Sequence, residues 1–150
     1  MKQIVMHASL WRQKSRWIRF QIHENNTFID FDEILREGFK YDKYDHASAF
    51  GWTGTREDIA RVFPDGSGDN ADQKLKILEL SEGDQLIYIY DFGANIRHRL
   101  IIEQILPSAD YHNSNSTPII LAKSRRRKKY CTKCKLKGEK TVAVWFCYEC

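Results

Sequence analysis

The chain has 150 residues and a formal charge of +4, enough for one domain of ordinary size with a substantial core and room for a small appendage. No run approaches the ~20 apolar residues needed to span a bilayer, and the N-terminus lacks the basic, apolar and small-residue succession of a secretory leader, so a soluble cytoplasmic protein without a membrane partner is expected. The charge is unevenly divided: residues 123–150 carry ten Lys or Arg against two acids, while residues 1–122 carry 14 against 18.

From the N-terminus, Ile4, Met6, Ala8 and Leu10 alternate with more polar neighbours. After a basic loop, Trp17-Ile18-Arg19-Phe20-Gln21-Ile22 alternates again, and the two segments predict a β-hairpin with one buried face. The period then changes. Thr27 can cap a helix whose apolar stripe is Phe28, Phe31, Ile34, Leu35 and Phe39, with acids in the first turns and Gly38 near the end.

The segment HASAFGWTG reads as a further strand and TREDIARVF as a short helix. Pro64 to Asp72 is a loop whose Asp65, Ser67, Asp69 spacing opens like a calcium loop. Its twelfth position is Lys76 instead of a bidentate Glu, which favours a solvated turn.

Leu86, Tyr88, Tyr90 and Phe92 share one face of a strand, and His98, Leu100, Ile102 and Leu106 share one face of its partner, which ends at Pro107. Between them lies Asp91-Phe92-Gly93. In a protein kinase these three letters hold magnesium, but the glycine-rich loop, the strand lysine and the catalytic-loop aspartate that must precede them are absent. Asp91 is therefore expected to bond turn amides, with Gly93 supplying a positive φ. His98 is expected to be a hydrogen-bonded core or rim histidine, and the remaining histidines are dispersed and make no metal-binding pattern.

In order along the chain stand Trp17-Ile18-Arg19-Phe20, Thr27-Phe28, Phe39-Lys40-Tyr41, His46-Ala47-Ser48-Ala49-Phe50, Gly83-Asp84, Tyr88 to Gly93, His98 and Ile101-Ile102-Glu103. Over residues 2–107 this succession resembles the plasmid Ri ORF-three-like family, also known as insertion-element passenger proteins. The resemblance implies an α+β fold and little chemistry. The chain departs from the family pattern at Ser48 (a second histidine), Ala94 (a second aspartate) and Ile96 (a tryptophan).

Ser108 to Thr117 is Ser/Asn-rich with Pro118 just beyond, and residues 108–122 read as a linker. Beyond them all four cysteines cluster, Cys131 and Cys134 separated by twelve residues from Cys147 and Cys150. Two Cys-x-x-Cys turns joined by a hairpin, with Gly138 at its tip, can close a tetrahedral thiolate site. Structural Zn2+ is the expected ion, with iron in a rubredoxin-like site or paired thiols as alternatives. Four thiolates leave no open position for water, so the metal folds the tail and does no catalysis.

The lead-in Lys123 to Tyr130 contains Arg125, Arg126, Arg127, Lys128 and Lys129, which suit phosphate contacts, and Trp145 can stack on exposed bases. A protein partner, docking on the chain's own body, or solvation alone would also accommodate such a run. The acidic body is expected to be a poor nucleic-acid surface.

The expected architecture is α+β: an antiparallel or mixed sheet with one main helix packed on it over residues 1–107, a linker over 108–122, and a basic segment with a zinc ribbon over 123–150. The expected role is non-enzymatic binding of nucleic acid or protein through the tail. The rivals are an enzyme built around Asp91, His98 and His46, and a purely protein-interacting adaptor.

Overall fold

Ile4, Met6 and Ala8 of β1 (Lys2–Leu10) and Ile18, Phe20 and Ile22 of β2 (Trp17–His23) are all buried on one side of an antiparallel hairpin, as the alternation predicts. The structure, a computed structural model, describes residues 2–107 and 117–125. The remaining elements are α1 (Phe28–Phe39), β3 (Ser48–Trp52), β4 (Asp58–Val62), a 3-10 turn (Leu75–Leu78), β5 (Gln85–Tyr90), β6 (Ile96–Pro107) and β7 (Ile119–Lys123). The seven strands form one sheet in the order β4-β3-β5-β6-β1-β2-β7, and every neighbouring pair is antiparallel. With α1 on one face, this is an α+β fold.

Thr27 opens α1 with a full capping box: its Oγ1 accepts from the Asp30 amide at 3.3 Å, and Asp30 Oδ2 accepts from the Thr27 amide at 2.9 Å. Lys40, in the left-handed conformation at φ 59°, closes the helix. Gly38 lies inside the last turn, packed on Ile18, whose Cδ1 would have to shift to admit a Cβ there. The stripe Phe28, Phe31, Ile34, Leu35 and Phe39 is buried on the sheet, with Phe31 stacked on Phe50 at 4.5 Å.

Three expectations are corrected. Residues 58–62 form β4, not a helix. Ala60 and Val62 are buried opposite Phe50 and Ser48, and non-local pairing with β3 outweighs a five-residue helix that could close hardly any bonds of its own. Its outer edge is occupied by the loop that follows, since the Arg61 amide donates to Asp69 O at 2.9 Å and the Phe63 amide to Ser67 O at 2.8 Å. Within that loop Asp65 Oδ1 accepts from the amide and hydroxyl of Ser67, the solvated turn expected there.

Second, the face of β6 changes phase. A bulge places Val5 opposite Gln104 and Met6 opposite Ile102, so Glu103 is the extra residue and Ile105, instead of Leu106, packs on the core. Phe92 is likewise off the core, 47% exposed, because β5 ends at Tyr90 and Asp91 turns the chain at φ 59°.

Third, the segment read as a linker contributes a strand. Ile119–Lys123 pairs with β2, Ile120 packs on the core, and β7 also touches α1. A chain ending at Pro107 should consequently be less stable by about 1–2 kcal/mol than one ending at Arg125, since it loses the burial of Ile120. It also uncovers the β2 edge, which should promote association. Urea unfolding and light scattering of the two chains check this; equal stability would show that β7 adds nothing to the sheet.

Candidate functional site

Asp32 and Arg36 stand one turn apart on the buried side of α1, 5% and 1% exposed, among the aromatic residues of the stripe. Asp32 Oδ2 accepts from Arg36 Nε at 2.8 Å, and its Oδ1 accepts from Ser48 Oγ at 2.5 Å and from Tyr88 Oη at 2.6 Å. The guanidinium then reaches out to the segment after the helix. Nη1 donates to the carbonyls of Asp42 and Asp45 at 3.0 and 2.7 Å, and Nη2 donates to that of His46 at 2.7 Å. It also lies 5.0 Å from the centre of the Tyr90 ring.

Burial opposes the Arg36 charge, but Asp32 outweighs it and holds the guanidinium above its usual range. Burial, and then the Asp32 charge, push the Tyr88 hydroxyl well above 10. Four of the five guanidinium N–H donors are thus taken by the protein itself. The cluster secures the 41–47 connection against the end of the sheet.

Beside it, His98 is fully buried between Tyr41, Phe39 and Tyr88. Its Nδ1 is 3.1 Å from the Tyr88 carbonyl, which only accepts, so Nδ1 carries the proton and Nε2 accepts from the Tyr41 hydroxyl at 2.7 Å. Burial lowers the His98 pKa to about 4, and burial raises that of Tyr41 to about 12. The pair is a neutral imidazole accepting a hydrogen bond from a neutral phenol, as a core histidine requires. Tyr41 stacks on Tyr90 at 4.2 Å, nearly parallel.

The sign of the resulting pH dependence follows. The unfolded chain takes up a proton at His98 near 6.5, whereas the folded chain refuses it until about pH 4. Stability should therefore be lost as pH falls from about 6.5 to about 4, amounting to about 3–4 kcal/mol at about 1.4 kcal/mol per pKa unit. Urea unfolding across that range should show the slope, and His98→Phe should flatten it. An unchanged slope in that variant would assign the effect elsewhere, for which His23, also lowered mainly by burial, is the other buried imidazole among the described residues.

His46 and Asp91 lie at the same end of the molecule, with Nδ1 3.6 Å from Oδ1, and His46 meets the Tyr90 ring edge-on. Among the described residues neither shares a hydrogen bond with His98, so the proposed trio is not assembled. Asp91 Oδ1 accepts from the Gly93 and Ala94 amides at 3.1 and 3.3 Å, as expected of the turn. The positive φ values fall on Asp91 and Asn95 instead of Gly93.

Sequence reading overlooked Asp32, Arg36 and Tyr41. The available signal was a charged i, i+4 pair on the apolar stripe, since Asp32 is four residues after Phe28 and three before Leu35. Where the family pattern has a second histidine, Ser48 serves as a donor to Asp32.

Of the tail residues, Arg125 is exposed just beyond β7. Arg126, Arg127, Lys128, Lys129, Cys131, Cys134, Trp145, Cys147 and Cys150 lie outside the described residues. Among the described residues no three His, Cys, Asp or Glu side chains gather to hold a metal ion, and no helix is long and apolar enough to cross a membrane.

A family model, Plasmid pRiA4b ORF-3-like protein, matches residues 4–129, extending through β7 into the basic run. The fold is similar to the crystal structure of the protein of unknown function MM3350 from Methanosarcina mazei Go1. The TM-score is 0.61 at 22% identity, covering 81% of this chain and 68% of that one. No curated protein shows significant similarity to the chain. The chain belongs to the plasmid pRiA4b ORF-3-like protein family.

Proposed function

We propose that the protein is a non-enzymatic binding module that engages nucleic acid through its basic tail, with Cys131, Cys134, Cys147 and Cys150 holding a structural zinc. The observation that supports this reading most is where the basic run departs from the sheet. The Trp17 amide donates to Ser124 Oγ and the Ser124 amide donates to the Trp17 carbonyl, both at 2.9 Å. Lys123 to Lys129 therefore starts from a fixed corner of a rigid sheet, beside Trp17 and Arg19. That attachment at Ser124 is what ties the basic run to the body.

The histidine and the buried ion pair support the non-enzymatic part. Both His98 nitrogens have protein partners, and Asp32 and Arg36 spend their bonding capacity on Ser48, Tyr88 and the 42–46 carbonyls.

The test is a salt titration of the protein and of a variant with Arg125, Arg126, Arg127, Lys128 and Lys129 all replaced by Gln. Five phosphate contacts on duplex DNA give a slope of log affinity against log salt of about −4.5, hence about a 500-fold loss between 50 and 200 mM. The variant should bind weakly and with a nearly flat slope. Equal, weak binding by both proteins at every salt concentration would favour the adaptor reading instead.

A further inference from the structure

The side of the sheet opposite α1 bears a row of side chains that neither the buried ion pair nor the His98 site uses. Strand alternation turns His7, Ser9 and then Trp11 away from the Ile4, Met6, Ala8 face, and turns Arg97 and Arg99 away from His98 and Leu100. The Arg99 guanidinium lies 4.3 Å from the centre of the Trp11 ring, and its Nε is buried without a hydrogen-bond partner. Across β1, His7 stacks on Trp17 at 5.2 Å, and Arg19 lies 6.0 Å from the Trp17 ring.

Register aligns Arg99, Ser9 and Trp17 on three adjacent strands, so at ~4.8 Å per strand Trp17 is about 10 Å from Arg99 across the sheet. The rim on the other side is a cleft of about 630 Å³ lined by Trp11, Arg12, Asn95 and Arg97 among others. Next to it is a smaller one of about 210 Å³, bordered by Arg61 and the exposed Phe92.

The charge balance of this surface differs from that of the whole body. Its acids Glu103 and Asp58 are each engaged by an arginine, Arg19 and Arg61, at 3.1 and 2.8 Å. Among the described residues Arg12, Arg97 and Arg99 have no carboxylate partner. Unpaired guanidinium groups interleaved with partly exposed indole and phenyl rings suit a ligand that offers phosphates and flat bases together. A duplex keeps its bases stacked inside, so the rings have nothing to meet there. A single strand can present both groups at once.

We propose that the open sheet face, from Arg97 and Trp11 across Arg99 to Trp17, is a binding platform for single-stranded nucleic acid, reached by the same strand that the basic tail holds. The proposal deepens the tail reading and rests on it for the ligand class, and it runs against the expectation that the acidic body is a poor nucleic-acid surface. Arg97 and Arg99 contact phosphates. Trp11 stacks on a base, and Trp17, already backed by His7, offers the next ring.

The experiment uses the full-length protein loaded with whatever metal it carries. Fluorescence anisotropy is measured with a labelled twelve-residue oligo(dT) and with a twelve-base-pair duplex, for wild type, Trp11→Ala, Trp11→Phe, Arg97→Gln/Arg99→Gln and the five-site tail variant. Near-UV circular dichroism and the melting temperature establish that each variant is folded.

Trp11→Ala should weaken oligo(dT) binding about 10-fold, with Trp11→Phe recovering much of it and duplex binding little changed. The paired arginine variant should flatten the single-strand salt slope by about 1 to 1.5. Loss in the face variants with binding kept in the tail variant would uphold the platform and sink the tail reading. Wild-type oligo(dT) binding that the face variants keep and the tail variant loses would overturn the platform and leave the tail reading standing. Inorganic polyphosphate competing as well as oligo(dT), or selective binding to vesicles rich in phosphatidylserine, would also overturn it, because neither ligand has bases to stack.

Discussion

Arg36→Met should cost about 3–5 kcal/mol of stability, a large part of the 5–15 kcal/mol that holds an ordinary domain folded. The methionine fills similar space, so little of the loss comes from packing. It comes from Asp32, which stays buried between Phe28 and Leu35 and keeps only Ser48 and Tyr88 as donors. The carbonyls of Asp42, Asp45 and His46 lose the guanidinium at the same time, leaving Asp42 and Asp45 the longer contacts from Tyr90 Oη at 3.4 and 3.3 Å.

The double replacement Asp32→Leu/Arg36→Met should recover much of the loss, because removing both charges removes the desolvation cost that breaking the pair exposes. Urea unfolding of the two variants is the measurement. A double variant as unstable as the single one would mean that anchoring the 42–46 carbonyls, rather than neutralising Asp32, is the principal role of Arg36.

Removing the zinc proposed for the four cysteines should have an effect at least as large, confined to the tail. Protein purified under reducing conditions should carry one zinc per chain. A strong chelator should then abolish the order of the ribbon, since metal binding and folding of such a small unit are one event, with apparent free energies of about 10–16 kcal/mol in comparable peptides. The body should melt at nearly the same temperature with and without metal, because its core of Phe28, Phe31, Phe50 and their neighbours contains no metal ligand. Cys131→Ser should reduce the bound zinc in the same way as chelation. Metal-free protein with two disulfides would contradict the assignment, and a coloured, iron-loaded chain would change the ion without changing the ligands.

How much was legible beforehand depended on the range of the interactions. The capping box at Thr27, the apolar stripe of α1 and the Asp91 turn all rest on residues within a few positions of each other, and the β1–β2 hairpin on two adjoining alternating segments; each is readable as a local pattern. The same holds for the tail cysteines, whose pairwise spacing alone suggests a metal. The basic run was legible as charge, but its point of attachment was not, because Ser124 and Trp17 are 107 residues apart in sequence.

Tertiary structure decided the rest, for the corresponding reason. β4 and β7 are five residues each, too short to show a period, and they are strands only because β3 and β2 offer unpaired amides and carbonyls beside them. The bulge at Glu103 exchanges Leu106 for Ile105 on the core, a change of phase that an unbroken alternation cannot anticipate. Tyr41 and His98 meet across 57 residues, and Asp32 collects Ser48 and Tyr88 from two different strands. The amino-acid sequence by itself determined the local elements of the body. The partners of each buried polar group, and the gathering of Trp11, Trp17, Arg97 and Arg99 on one open face, were decided by strand order and register, because these place distant residues one or two strand spacings apart.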